Sequence, residues 1–119
     1  MILNWAKQQT ALLIGGSSTT IPNAFLIGIG SSTVQASQTA LITASDKQDF
    51  TSKDSTTIYK TTFQGDWNSI EMSGLNLQEF GITTSGTGLT GSLWSRVVIP
   101  SINFDGSNEL QLTEIWEVY

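Results

Sequence analysis

The stretch Asn108-Glu-Leu-Gln-Leu-Thr-Glu-Ile-Trp-Glu-Val-Tyr119 decides the fold. Leu110, Leu112, Trp116 and Val118 share one face at a period of two, with Glu114 the exception among them. Gln111, Thr113, Ile115, Glu117 and Tyr119 share the other. Alternation over that length is the mark of a half-buried β-strand, and β-branched and aromatic residues suit its pleated surface. The strand is expected to be paired inside a sheet, with Trp116 in the core. Working outward, the same period recurs upstream. Residues 74–83 alternate Leu75, Leu77, Glu79 and Gly81 with Asn76, Gln78, Phe80 and Ile82. Glu79 thus shares a face with leucines, where an acid caps backbone amides or lies at an edge. Gly81 is expected to sit where a side chain would clash, or at positive φ.

Further strands are expected over residues 24–30, 56–65 and 92–99, the last ended by Pro100. In Ala24–Gly30, the missing side chains of Gly28 and Gly30 on one face allow close approach by a backbone or an aromatic ring. No third glycine follows, so this is not a dinucleotide fingerprint. Gly65-Asp66 and Asp105-Gly106 read as turns, and Thr84–Gly91 as a hairpin loop. Ser45–Ser55 carries charges of both signs and reads as a solvated loop or edge. Thr39–Ala44 reads as a short helical turn, with a strand as the alternative.

One helix is expected, over residues 4–14. Asn4 is placed to cap it, Trp5, Leu12 and Leu13 share a face, and Gly15-Gly16 stops it. The expectation is a single domain over residues 1–119: a mainly β, antiparallel β-sandwich or flattened barrel with one N-terminal α-helix.

Composition narrows function. The chain has 119 residues, no Cys and no His, which removes thiolate metal sites, the commonest metal ligand and the commonest general base. Lys7, Lys47, Lys53, Lys60 and Arg96 are scattered in a chain of net charge −5, so no positive stripe exists for nucleic acid. The acids fall in turns and strand edges, with nothing to bring a catalytic pair together. The Asp105–Glu109 turn is too short and too poor in oxygens for a calcium loop. The chain is therefore read as a non-enzyme without metal or cofactor. No apolar run is long enough for a bilayer, and the start lacks a signal-peptide pattern. The four tryptophans, Trp5, Trp67, Trp94 and Trp116, read as core or interface anchors, with a sugar platform as the alternative. A domain this size has little room for all four, so Trp5, Leu12 and Trp67 are expected at a subunit contact.

Three stretches together resemble small virion proteins of tailed bacteriophages. The first is Asn4-Trp5-Ala6-Lys7 with Gly15-Gly16-Ser17 and Ile27-Gly28-Ile29-Gly30. The second is Thr39-Ala40-Leu41 before a charged stretch. The third is Leu75-x-Leu77-x-Glu79-Phe80-Gly81-Ile82 before a Gly-rich hairpin and a strand-rich end. The pattern is also similar to the baseplate-proximal domain of phage tail fibres, in which a Glu-x-Gly-hydrophobic motif precedes a glycine turn. Ile82-Thr83 departs from it by lacking an aromatic residue, and no fibre shaft follows. The resemblance implies a free-standing, homo-oligomeric building block of the neck, tail or baseplate, made in the host cytoplasm and carried in the virion. It contacts its own copies and other virion proteins, without membrane or direct nucleic-acid contact. A glycan-binding β-sandwich and a capsid decoration protein are the alternatives.

Overall fold

A computed structural model describes residues 1–17, 20–84, 89 and 93–118. The chain is a sandwich of two open antiparallel sheets with an N-terminal helix, α1 (Asn4–Ile14). One sheet has the order β2 (Ala44–Asp49), β1 (Ala24–Gly28), β5 (Asn76–Thr83), β6 (Leu93–Asn103). The other has the order β3 (Ser52–Asp54), β4 (Lys60–Trp67), β7 (Leu110–Glu117). A second helix, α2 (Ser69–Met72), links β4 to β5.

Aromatic packing joins the sheets. Phe25 of β1 meets Phe50 edge-on at 5.1 Å between ring centres, and Phe50 meets Phe63 of β4 at 4.9 Å. Phe63 meets Trp116 of β7 at 5.4 Å, and Trp116 meets Trp94 of β6 at 6.2 Å. These are the separations at which ring quadrupoles attract edge to face or offset. Phe50 lies between β2 and β3, so the chain crosses from one sheet to the other through the core.

The four-stranded sheet is covered on both faces. Phe25 and Ile27 of β1 lie opposite Ile82 and Phe80 of β5 and face the other sheet. Leu26 and Gly28 lie opposite Gly81 and Glu79 and face the N-terminal segment and the 30–43 connection. Leu3, Leu26, Leu41 and Leu93 form a second, smaller cluster there. This is why every residue of β1 is buried.

Helix α1 spans the expected residues, yet Asn4 is not its cap. Leu3 occupies that position, extended and without a side-chain cap bond. Its amide instead donates to Trp94 O at 2.9 Å, and that of Asn4 to Ala36 O at 2.8 Å. Tertiary carbonyls thus do what a capping side chain would have done. The helix ends as expected: Gly16 takes φ 73°, Ser17 N donates to Leu12 O and Gly16 N to Leu13 O.

Several boundaries differ from the sequence reading. Thr39–Thr43 contains no helical turn, because its amides serve the Glu79 carboxylate, and Ala44 already begins β2. Ser45–Ser55 supplies the edge strands β2 and β3. The strand expected over 56–65 starts at Lys60, not Thr56, and runs through Gly65-Asp66 to Trp67. Gly65 is a strand glycine because a Cβ there would lie 2.6 Å from the Phe25 ring. Pro100 does not end β6. It sits where the β5–β6 register shifts, between the pairs Leu77–Ile102 and Glu79–Val98, so it interrupts no ladder bond. The Asp105-Gly106 turn stands, with Gly106 at φ 96° and Asp105 Oδ1 accepting from Ser107 N at 3.0 Å. The Thr84–Gly91 hairpin lies largely outside the described residues, as do Ser92 and Tyr119.

Gly81 is a packing position with ordinary φ: a Cβ there would collide with the Ser95 carbonyl of β6 and lie 2.9 Å from Leu93 Cδ1. Gly81→Ala is expected to cost about 1–3 kcal/mol through overpacking, read from urea denaturation. A cost within about 0.5 kcal/mol, that of an ordinary surface change, would show that β5 and β6 separate freely at this point.

The tryptophans divide by burial. Trp67 is 1% exposed and Trp94 is equally buried, whereas Trp116 is half-buried. The edge position of β7 explains Trp116: one side of its ring has no strand beyond it. Trp67→Ala is expected to cost about 3–5 kcal/mol and Trp116→Ala clearly less, both read from the same denaturation series. Equal costs would place Trp116 in the core after all.

Candidate functional site

The buried charges are structural in their geometry. Glu79 of β5 and Arg96 of β6 are both 0% exposed, and Arg96 Nε donates to Glu79 Oε2 at 2.8 Å. Glu79 also accepts from Gly30 N at 3.0 Å, Thr43 N at 2.8 Å and Ile42 N at 3.1 Å. Arg96 Nη1 donates to Ser32 O at 2.8 Å and Gln38 Oε1 at 3.3 Å. One ion pair therefore pins both ends and the middle of the 30–43 connection to the sheet. Gly28 and Gly30 exist for it: a Cβ on either would lie within 2.8 Å of Glu79 Oε1. The close approach expected at these glycines comes from a carboxylate and the Thr43 carbonyl, not from an aromatic ring.

Desolvation pushes the Glu79 carboxyl up, but the amides of Thr43, Ile42 and Gly30 and the Arg96 guanidinium outweigh it and hold it below its ordinary value. A carboxyl depressed on folding stabilises the fold at pH above its unfolded value, and that stability is lost as pH falls through the folded value. Arg96→Met leaves Glu79 buried and unpaired and is expected to cost about 3–5 kcal/mol near neutral pH. The gap between wild type and Glu79→Gln should narrow as pH falls below the ordinary glutamate range, followed by urea midpoints. A pH-independent gap would show that the carboxylate's charge contributes nothing.

The expected interface residues are dispersed. Trp67 is in the core, with its Nε1 donating to Asp46 Oδ2 at 2.9 Å, so its place at a subunit contact is corrected: β4 turns it inward between the sheets. Trp5 packs from α1 against the main core and is half-buried, as is Leu12. Trp116, half-buried like Trp5, reaches the surface beside β7. It lines three shallow hollows of about 410, 260 and 450 Å³. The first lies between Trp116, Phe63 and residues 55–61, the loop before β4 and its first two residues. The second lies against Met1, Ile2 and Val97. The third lies against Ile2, Lys7 and Thr10.

Beside them runs the outer edge of β7. The strand pairs with β4 in unbroken register from Lys60–Glu117 to Trp67–Leu110. Among the described residues no strand pairs with its other side. Ile115 is 51% and Val118 73% exposed along it, with Ile2 exposed nearby. Glu114 points inward, its carboxylate accepting from Ser95 Oγ at 2.9 Å and from Trp116 Nε1. Burial pushes its carboxyl above the ordinary value against those two hydrogen bonds. By contrast, the β6 edge is covered where Met1–Leu3 runs along it: Arg96 N donates to Met1 O at 3.1 Å and Leu3 N to Trp94 O.

The roles of Arg96, Glu114 and Tyr59 escaped the sequence reading. Arg96 carried a readable signal, a lone base in an apolar strand to match the lone acid of β5. Tyr59 carried none, since its φ of 63° is a tertiary outcome. No group of acids that could hold a metal ion occurs among the described residues, and no described helix is long and apolar enough to cross a membrane. No protein-family model, curated protein or solved structure matches this chain.

Proposed function

We propose that the protein is a structural building block of a tailed-bacteriophage particle, in the neck, tail or baseplate, and that it works by assembly with its own copies and with other virion proteins. The β7 edge carries this reading. Natural edge strands are blunted by Lys, Pro, bulges or a covering segment, because an open ladder pairs with whatever strand it meets. Leu110–Glu117 has no Lys, no Pro and no bulge, and it is eight residues long. Its one inward acid is tied to Ser95 and Trp116. An open ladder flanked by Ile115, Val118 and Ile2 is a joint for a neighbouring strand, with main-chain bonds for affinity and the two hollows beside Ile2 for side chains.

The placement in a phage particle is supported by the resemblance carried by residues 4–7, 15–17, 27–30, 39–41 and 75–82. A β-sandwich with few charges and abundant Ser and Thr suits many copies packed closely. Such a role needs no catalytic group.

Ile115→Lys puts a charge on the open edge while leaving the inward face of β7 intact. Wild type is expected to sediment as an oligomer and the variant as a folded monomer, checked by sedimentation velocity and circular dichroism. Antibody labelling of purified particles tests the location. A wild type that is monomeric at its highest soluble concentration and missing from particles overturns the reading.

A further inference from the structure

The hollow between residues 55–61 and Trp116 has features that the assembly joint does not use. Tyr59 is the one non-glycine residue at positive φ among those described, at 63°. A bulky side chain in the left-handed region is strained and persists only when its surroundings impose it, and such strain gathers at binding sites. Here the imposing contacts flank the residue: Val118 N donates to Tyr59 O at 2.8 Å and Lys60 N to Thr57 O at 3.2 Å. The strained backbone leaves the Tyr59 side chain 74% exposed. It borders a hollow of about 410 Å³ whose other walls are Trp116, Phe63, Ile58 and Val118.

The polar part of this hollow is of one kind. Ser55, Thr56, Thr57 and Thr61 contribute hydroxyl side chains to the lining. Thr56 is held in place, donating through N and Oγ1 to Asp54 Oδ1 at 2.9 and 2.7 Å. The one cation of the lining, Lys60, is neutralised by Glu117 at 3.3 Å. Two large aromatics with a hydroxyl border and no net charge match a ligand with an apolar C–H face and a ring of hydroxyl groups. We infer that this hollow is a binding site for a neutral glycan, a pyranose stacked between Tyr59 and Trp116. The cavity volume falls within the range of about 300–1,000 Å³ for small-molecule sites. The lining holds no Asp or Glu, so the site lacks the carboxylate pair that glycoside hydrolysis requires and serves to bind.

The probes are methyl glycosides of glucose, galactose, mannose and N-acetylglucosamine, and the corresponding neutral disaccharides. Binding to the full chain is read by saturation-transfer NMR and by tryptophan fluorescence titration. At least one probe is expected to bind saturably in the millimolar range. Tyr59→Gly removes the ring while suiting the left-handed backbone, so its melting temperature should be unchanged or higher while affinity falls about tenfold or more. Tyr59→Asn, also at ease at positive φ, repeats the test with a different side chain. Ile115→Lys, which opens the assembly joint, should bind the same probe as wild type does, so that failure of the joint and failure of this site give different results. Lack of saturable binding by every probe overturns the proposal. So does a bound probe whose affinity survives both Tyr59 variants within about twofold.

Discussion

The carboxylate of Glu79 is the constraint on which the sheet depends. An acid with no exposure must find partners for its lone pairs or lose its charge. Here the partners are the Arg96 guanidinium and three amides of the 30–43 connection. That requirement spreads. It removes the side chains of residues 28 and 30, because the carboxylate fills their space. It denies Thr39–Thr43 a helical turn, because those amides point at Glu79. It closes the outer face of the sheet, so that Leu26 and Leu93 have Leu3 and Leu41 to pack against. A buried ion pair of this kind contributes less to net stability than to specification: its partners fit in one arrangement only, and any register slip would leave a charge unpaired.

The parts legible in the sequence were those set by periodicity. The alternation read over 74–83 and 108–119 marked β5 and β7, and the glycine pair closed α1 where expected. Glu79 was legible as an acid on an apolar face, hence as a group capping amides. The illegible parts were set by partners distant in sequence. Gly65-Asp66 looks like a turn until the Phe25 ring is placed above Gly65. Pro100 looks like a terminator until the register shift opposite Leu77–Glu79 gives it a site without a ladder bond. The short β2 and β3 lack any apolar pattern, because edge strands are held by the strand beside them. The short helix α2 was missed by the expectation of one helix, although its capping residues, Asn68 and Glu71, stand three apart and satisfy each other's backbone amides. Trp67 and Trp116 look alike in the sequence, and only the sheet order separates the core residue from the one at the edge.

The two proposed surfaces meet at one strand. β7 gives its outer ladder to the proposed joint and the ring of Trp116 to the proposed glycan hollow. Both follow from its place as the last strand of the smaller sheet. The main core uses one side of this strand, through Leu112 and the partly buried Leu110 and Trp116. The geometry of the remaining side is therefore free to serve contact with other molecules.

The attachment of the 30–43 connection also orders events during synthesis. Residues 30, 42 and 43 leave the ribosome before their anchors on β5 and β6 have been made. Until then β2 is the one strand that can pair with the apolar run Ala24–Ile29, and the closure that Glu79 and Arg96 provide is missing. Pairing across so long a separation is slow, since the entropy of closing the chain precedes any gain from contact. The nascent N-terminal third is thus the part of the chain most in need of shelter, although in the finished fold β1 is its best-covered strand.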